Sequence, residues 1–205
     1  MSVMMKTALQ SVLLSATLAA SLCACSIAHA PPQAVYDLGN AVTAMPRMTL
    51  PPLAVAAPTV PSWLDNVEMI YRLNYANDLQ LHPYANSRWS APPMQLFEQR
   101  LKTRIAESGG QVLSASESAN NVPLILHVDA DDFTQAFDRV NHSVGRIALR
   151  ISLFDGRKLV AQTTVLEQED ADAADAPGGA RALTHASDKA IADIVRWLAG
   201  LNLKA

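Results

Sequence analysis

The chain has 205 residues, 50% of them apolar and 17% charged, which suits one domain with its own core rather than two. A formal net charge of −3 leaves no basic footprint for nucleic acid. Its only two cysteines, Cys23 and Cys25, stand near the N-terminus and supply no disulfide framework for the body of the chain.

Residues 1–24 read as a signal peptide. Lys6 forms the positive n-region, and Thr7 to Leu22 is an apolar stretch too short for a comfortable membrane span. Two cleavage sites compete. Leu22-Cys23-Ala24-Cys25 resembles a bacterial lipobox, after which Cys25 would carry a diacylglyceryl thioether and an acylated amino group. Ala28-His29-Ala30 is an A-x-A site that would instead release a soluble periplasmic protein. Pro31 directly follows that second cut, lacks an N–H and restricts Ala30, so Cys25 is the favoured site. A Cys23–Cys25 disulfide would close a strained loop, and Cys23 leaves with the signal.

Removing Lys6 takes the basic count from 16 to 15 against 19 acidic groups, a net of −4. At about 0.8 kcal/mol per buried methylene, two or more acyl chains anchor the protein in effect permanently. Ser26 after the lipidated cysteine resembles the sorting signal for the outer membrane.

Residues 25–61 read as a lipidated N-terminus and a stiff tether, because seven of the twelve prolines fall between residues 31 and 61. Short strands are expected at Val35 to Leu38 and from Leu53 towards Val60, the latter at a sheet edge because proline flanks it. Residues 62–205 form the domain. Alternation predicts a strand from about Val67 to Leu73, a turn around Tyr75 to Asp78 and a short return through Leu81.

Ser90 is the expected N-cap of a helix in which Met94, Phe97, Leu101 and Ile105 line one face, until Gly109-Gly110 stops it. Arg100, Lys102 and Arg104 lie late in that helix, where cations complement its dipole. Strands are then predicted at Gln111 to Ala115, from Leu124 to about Phe133, and as a hairpin of Val144 to Phe154 and Lys158 to Glu167 around Asp155-Gly156. A closing helix begins at about Ala180, after the Pro177-Gly178-Gly179 loop, and ends at Gly200. The expected fold is α+β, a two-layer α/β sandwich of one mixed, mainly antiparallel sheet with two helices on one face.

Catalytic chemistry finds no constellation. Asp129, Asp131, Asp132 and Asp138 lack the glycine and distal glutamate of an EF-hand loop and read as solvated surface. His82, His127, His142 and His185 have no metal-ligand spacing, and there is no nucleophile elbow or phosphate loop. No enzyme activity, metal or cofactor is expected. Tyr71, Arg72, Tyr84, Arg88 and Trp89 concentrate aromatic faces and cations in one stretch. They are either a partner contact or the structural junction between sheet and first helix.

The run from Tyr71-Arg72 through Tyr84, Ser87-Arg88-Trp89 and Pro92-Pro93, with Phe133 to Asp138 and Asp175 to Leu183, resembles the ABC-type transport auxiliary lipoproteins over about Val35 to Leu198. The resemblance implies a lipid-anchored periplasmic component of an Mce-type lipid transport system. Its implied partners are an Mce-domain protein, an ABC permease and its ATPase, and the membrane through the anchor, with a homo-oligomer also open. No catalytic residue transfers; Cys25 transfers as the modification site. The competing reading is a soluble periplasmic binding module or enzyme released after Ala30.

Overall fold

In a computed structural model describing residues 32–40, 44–113 and 124–201, the elements run β1 (Ala34–Tyr36), β2 (Leu53–Val55), β3 (Glu68–Leu73), β4 (Asn77–Trp89), α1 (Pro93–Glu107), β5 (Val112–Leu113), β6 (Leu124–Arg139), β7 (His142–Asp155), β8 (Lys158–Asp170) and α2 (Ala176–Gly200). Cys25 and the signal region lie outside the described residues.

The strands join one mixed sheet organised on β6. One edge of β6 pairs antiparallel with β7 from Leu124↔Asp155 to Arg139↔His142, and β7 pairs antiparallel with β8. The other edge is shared. Parallel β2 occupies Leu124 to Leu126, and Thr59 continues that contact by hydrogen bonds with Val128 and Ala130. Parallel β3 then takes Gln135 to Phe137. From there the sheet forks, through β2 to β5 and through β3 to β4 and β1.

This geometry corrects the expected flat two-layer sandwich: the class is α+β, but the eight strands curl into a half-barrel accompanied by two helices. Strands β4, β6, β7 and β8 run 13 to 16 residues, each longer than foreseen, and accumulate correspondingly more twist. Register shifts at Ala130/Asp132, Phe137/Arg139 and Leu153/Phe154 bend them further. Proline-flanked β2 is also not an edge strand. It lies between β5 and β6 with Leu53 wholly buried, because Pro51 and Pro52 precede the residues that need ladder hydrogen bonds.

The central hairpin turns through Gly156-Arg157, one residue later than expected, with Gly156 at φ +57° in the first turn position. Ser90 does not cap α1. Its N–H donates to the Tyr36 carbonyl, and Pro92 holds the N-cap position without a side-chain bond. The cations in α1 also do more than face its dipole. Buried Arg100 makes a bidentate pair with Asp188 of α2 at 2.8 and 2.7 Å and donates to the Leu38 and Gly39 carbonyls. One guanidinium thus joins both helices to the N-terminal segment.

Met94, Phe97, Leu101 and Ile105 of α1 and Leu183, Ala186, Ala190, Ile194 and Leu198 of α2 are buried at helical spacing in the same core as Leu126, Val128, Ile147, Leu149 and Ile151 of the sheet. Trp89, 1% exposed, meets Phe133 edge-on at 5.8 Å and ties the end of β4 to β6. Trp89→Ala is expected to lower unfolding stability by about 3–5 kcal/mol. Urea denaturation reads this as a fall in midpoint; an unchanged midpoint would show that the indole is not a core group.

Candidate functional site

The structure divides the five candidate side chains. Tyr71 and Tyr84 come together at 4.6 Å between ring centroids, with His82 stacked on Tyr71 at 5.1 Å and Phe137 edge-on at 5.8 Å. Arg72, the next residue along β3, lies over Trp63 at 5.7 Å and donates to the Asp78 carbonyl. Arg88 is exposed, opposite Glu68 on one side and Val35 on the other. Trp89 is in the core, apart from the tyrosines.

The centre of the aromatic group is Gln135, a residue that hydropathy patterning does not single out. Its carboxamide is fully buried. Oε1 accepts from the Tyr84 hydroxyl at 2.8 Å, while Nε2 donates to Ser143 Oγ at 2.8 Å and to the Asp175 carbonyl at 3.1 Å. Strands β4, β6 and β7 and the start of α2 are thereby fastened through one side chain.

Gly179 makes the approach feasible, since a Cβ there would stand 1.9 Å from Gln135 Oε1. Asp175 caps α2 by accepting from the Gly178 N–H at 2.8 Å, and Pro177 fits the first turn, so the helix begins four residues before the expected Ala180. The aspartate with proline two places on was a readable start signal. Two consecutive glycines opposed it, because their packing role is invisible in sequence.

Among the acidic residues, Asp129 pairs with Arg150, and Asp138 with Arg139 and His142. Asp132 is not the solvated group expected. It is 7% exposed, accepts from Thr134 Oγ1 and lies 3.2 Å from Arg146 Nε. Burial raises its carboxyl above the ordinary range against the opposing effect of those partners. No group with metal-site geometry occurs among the described residues, and no described helix is long and apolar enough to cross a membrane. A cleft of about 410 Å³ between Ala57–Asp65 and the start of α1 offers two carboxylates, Asp65 and Glu98, with Glu98 held by Lys102. No histidine, serine, threonine or cysteine is among the residues that line it.

A family model described as ABC-type transport auxiliary lipoprotein component matches residues 36–198. No curated protein matches the sequence. Among solved structures, a Xanthomonas campestris protein assigned to the DUF330 family model shares the fold at TM-score 0.69 and 18% identity, over 80% of this chain and 94% of its own. An uncharacterised protein shares it at TM-score 0.61 and 19% identity, over 81% and 98% respectively. The matching family is a transport-auxiliary one and not a known enzyme family. A lipoprotein family implies a membrane-anchored periplasmic location.

Burial, then the neighbouring Tyr71 and Asp175, push the Tyr84 phenol well above its ordinary value. The folded chain therefore keeps this proton where the unfolded chain releases it. The stability that results is complete below about pH 10 and is lost as pH climbs towards the folded value. Urea midpoints should fall above about pH 10, and Tyr84→Phe should remove part of that fall. Identical pH profiles for the two chains would contradict the burial of this hydroxyl.

Proposed function

We propose a role from one premise: this chain belongs to the ABC-type transport auxiliary lipoprotein family. Its role is that of a lipid-anchored periplasmic component of an Mce-associated lipid transport system, held at the outer membrane through Cys25. It acts as a binding or assembly subunit towards the permease, its ATPase and the Mce-domain protein. The observation that carries this reading is the family match over residues 36–198; the sequence Leu22-Cys23-Ala24-Cys25, which resembles a lipobox, precedes the match.

The disposition of polar groups agrees with assembly rather than turnover. Gln135, Tyr84 and Arg100 spend their hydrogen-bonding capacity on the fold itself. What is offered outward is strand edge: β8, 13 residues long, pairs only with β7 among the described strands. Such an edge presents free N–H and C=O groups to a partner strand, and exposed Val35 lies on β1, the end strand of the β3–β4–β1 branch, beside Arg88 of β4.

Envelope crosslinking from a photoreactive side chain at Leu166, 69% exposed on β8, tests the reading. The expected products join this chain, with Cys25 acylated at its N-terminus, to a permease or Mce-domain subunit. An unmodified N-terminus at Pro31 would overturn the anchor, and adducts confined to unrelated envelope proteins would overturn the transport role.

A further inference from the structure

Two turns lie side by side at one end of the sheet. Leu73 of β3 pairs with Phe137 of β6, so the β3–β4 turn and the β6–β7 turn end at the same level. Each carries apolar side chains where turn chemistry favours glycine, asparagine, aspartate or serine. Leu79, just past the first turn, is 87% exposed, and Val140, in the second, is 75% exposed. Tyr75, also in the first turn, is 47% exposed.

The register explains why Leu79 stands out. Tyr71 pairs with His82 and Leu73 with Asn77, so four residues of β4 face a single residue of β3 and bulge outwards. None of these side chains has a core to fill. Single exposed apolar residues need no explanation, but a group at adjacent tips points to an apolar surface outside the chain.

The anchor lies within reach of the same end. Strand β1 runs parallel to β4 with Ala34 beside Ser87, so its N-terminal end faces the turns. Cys25 precedes Ala34 by nine residues, a reach of at most roughly 30 Å. From Ser87 back to Leu79 is eight residues, about 26 Å of strand. The span from Cys25 to Ala34 is therefore long enough for a bilayer holding acyl chains on Cys25 to meet Leu79 and Val140.

We propose that this end of the sheet is a membrane-contacting face, with Leu79, Val140 and Tyr75 entering the headgroup–acyl boundary of the bilayer that holds Cys25. The proposal rests on the anchor reading given above. Two aliphatic side chains supply the apolar contact, and the tyrosine has the apolar body and polar tip suited to an interface. Arg139 and His142 both engage Asp138, at 3.5 and 2.6 Å, so the charges at the second turn are largely met by one another. Asp78 is the remaining carboxylate of the turns and limits entry to the boundary rather than the acyl interior.

The test uses the mature full chain from envelopes in phosphatidylethanolamine–phosphatidylglycerol vesicles, with a nitroxide at Leu79→Cys, Val140→Cys or Leu166→Cys, one at a time. Acylation blocks Cys25 to the label, and the N-terminal mass is read on the same samples. Nitroxides at 79 and 140 should gain contact with dissolved oxygen and lose contact with a water-soluble nickel chelate, while the one at 166 stays in water. All three in water on an acylated chain would overturn the proposal, as would shielding of 79 and 140 from both reagents, the mark of a protein contact. An unmodified N-terminus would instead overturn the anchor. In that case labels reading lipid would sustain contact without it, and labels reading water would overturn both.

Discussion

The buried carboxamide of Gln135 is the interaction on which the arrangement of this domain depends. It sits where β3, β6 and β7 are neighbours and reaches both the Tyr84 hydroxyl and the Asp175 carbonyl. A buried amide left without partners costs about 1–3 kcal/mol for each unmet group, so the elements that satisfy it are held to its position. Those elements are the strand after the first turn and the opening of the last helix. Gly179 admits the amide, and Gly145 of β7 admits Ala182 and Leu183 of α2, where a Cβ would come within 2.5 Å of the Leu183 nitrogen. The helix is thus seated on the sheet more closely than side chains of ordinary size would allow.

A second constraint comes from β6 itself. Because its free edge is divided between β2 and β3, the sheet has two branches on one side and a single long hairpin on the other. Twist and bulges carry the branches around the core, and Arg100 ties both helices to the segment that follows β1. The residues read as a tether therefore enter the structure: Leu38, Leu53 and Val55 are buried with the helices.

What was legible in sequence was what depends on neighbours along the chain. Apolar spacing marks α1 from Met94 to Ile105, and alternation marks β3 and the β7–β8 hairpin, because those patterns follow from local backbone periods. Curvature was not legible, since it arises from strand length and register shifts that only pairing reveals. The start of α2 was obscured because Gly178 and Gly179 imitate a loop while serving a close contact. The Arg100–Asp188 pair joins residues 88 apart, beyond any local pattern. The candidate site was partly legible. Tyr71 and Tyr84 stand out by composition, while Gln135, which organises them, looks like one polar residue in an aromatic run.

Gly179 lacks a side chain so that the Gln135 amide can join sheet and helix. A double-mutant cycle of Gly179→Ala and Gln135→Ala tests it by urea unfolding. In the native background, Gly179→Ala should destabilise by about 2 kcal/mol through overpacking, although alanine is the better helix former. In the Gln135→Ala background the obstructing atoms are gone, and the same substitution should be neutral or stabilising. Equal costs in both backgrounds would show that the Gln135 amide is not what Gly179 makes room for.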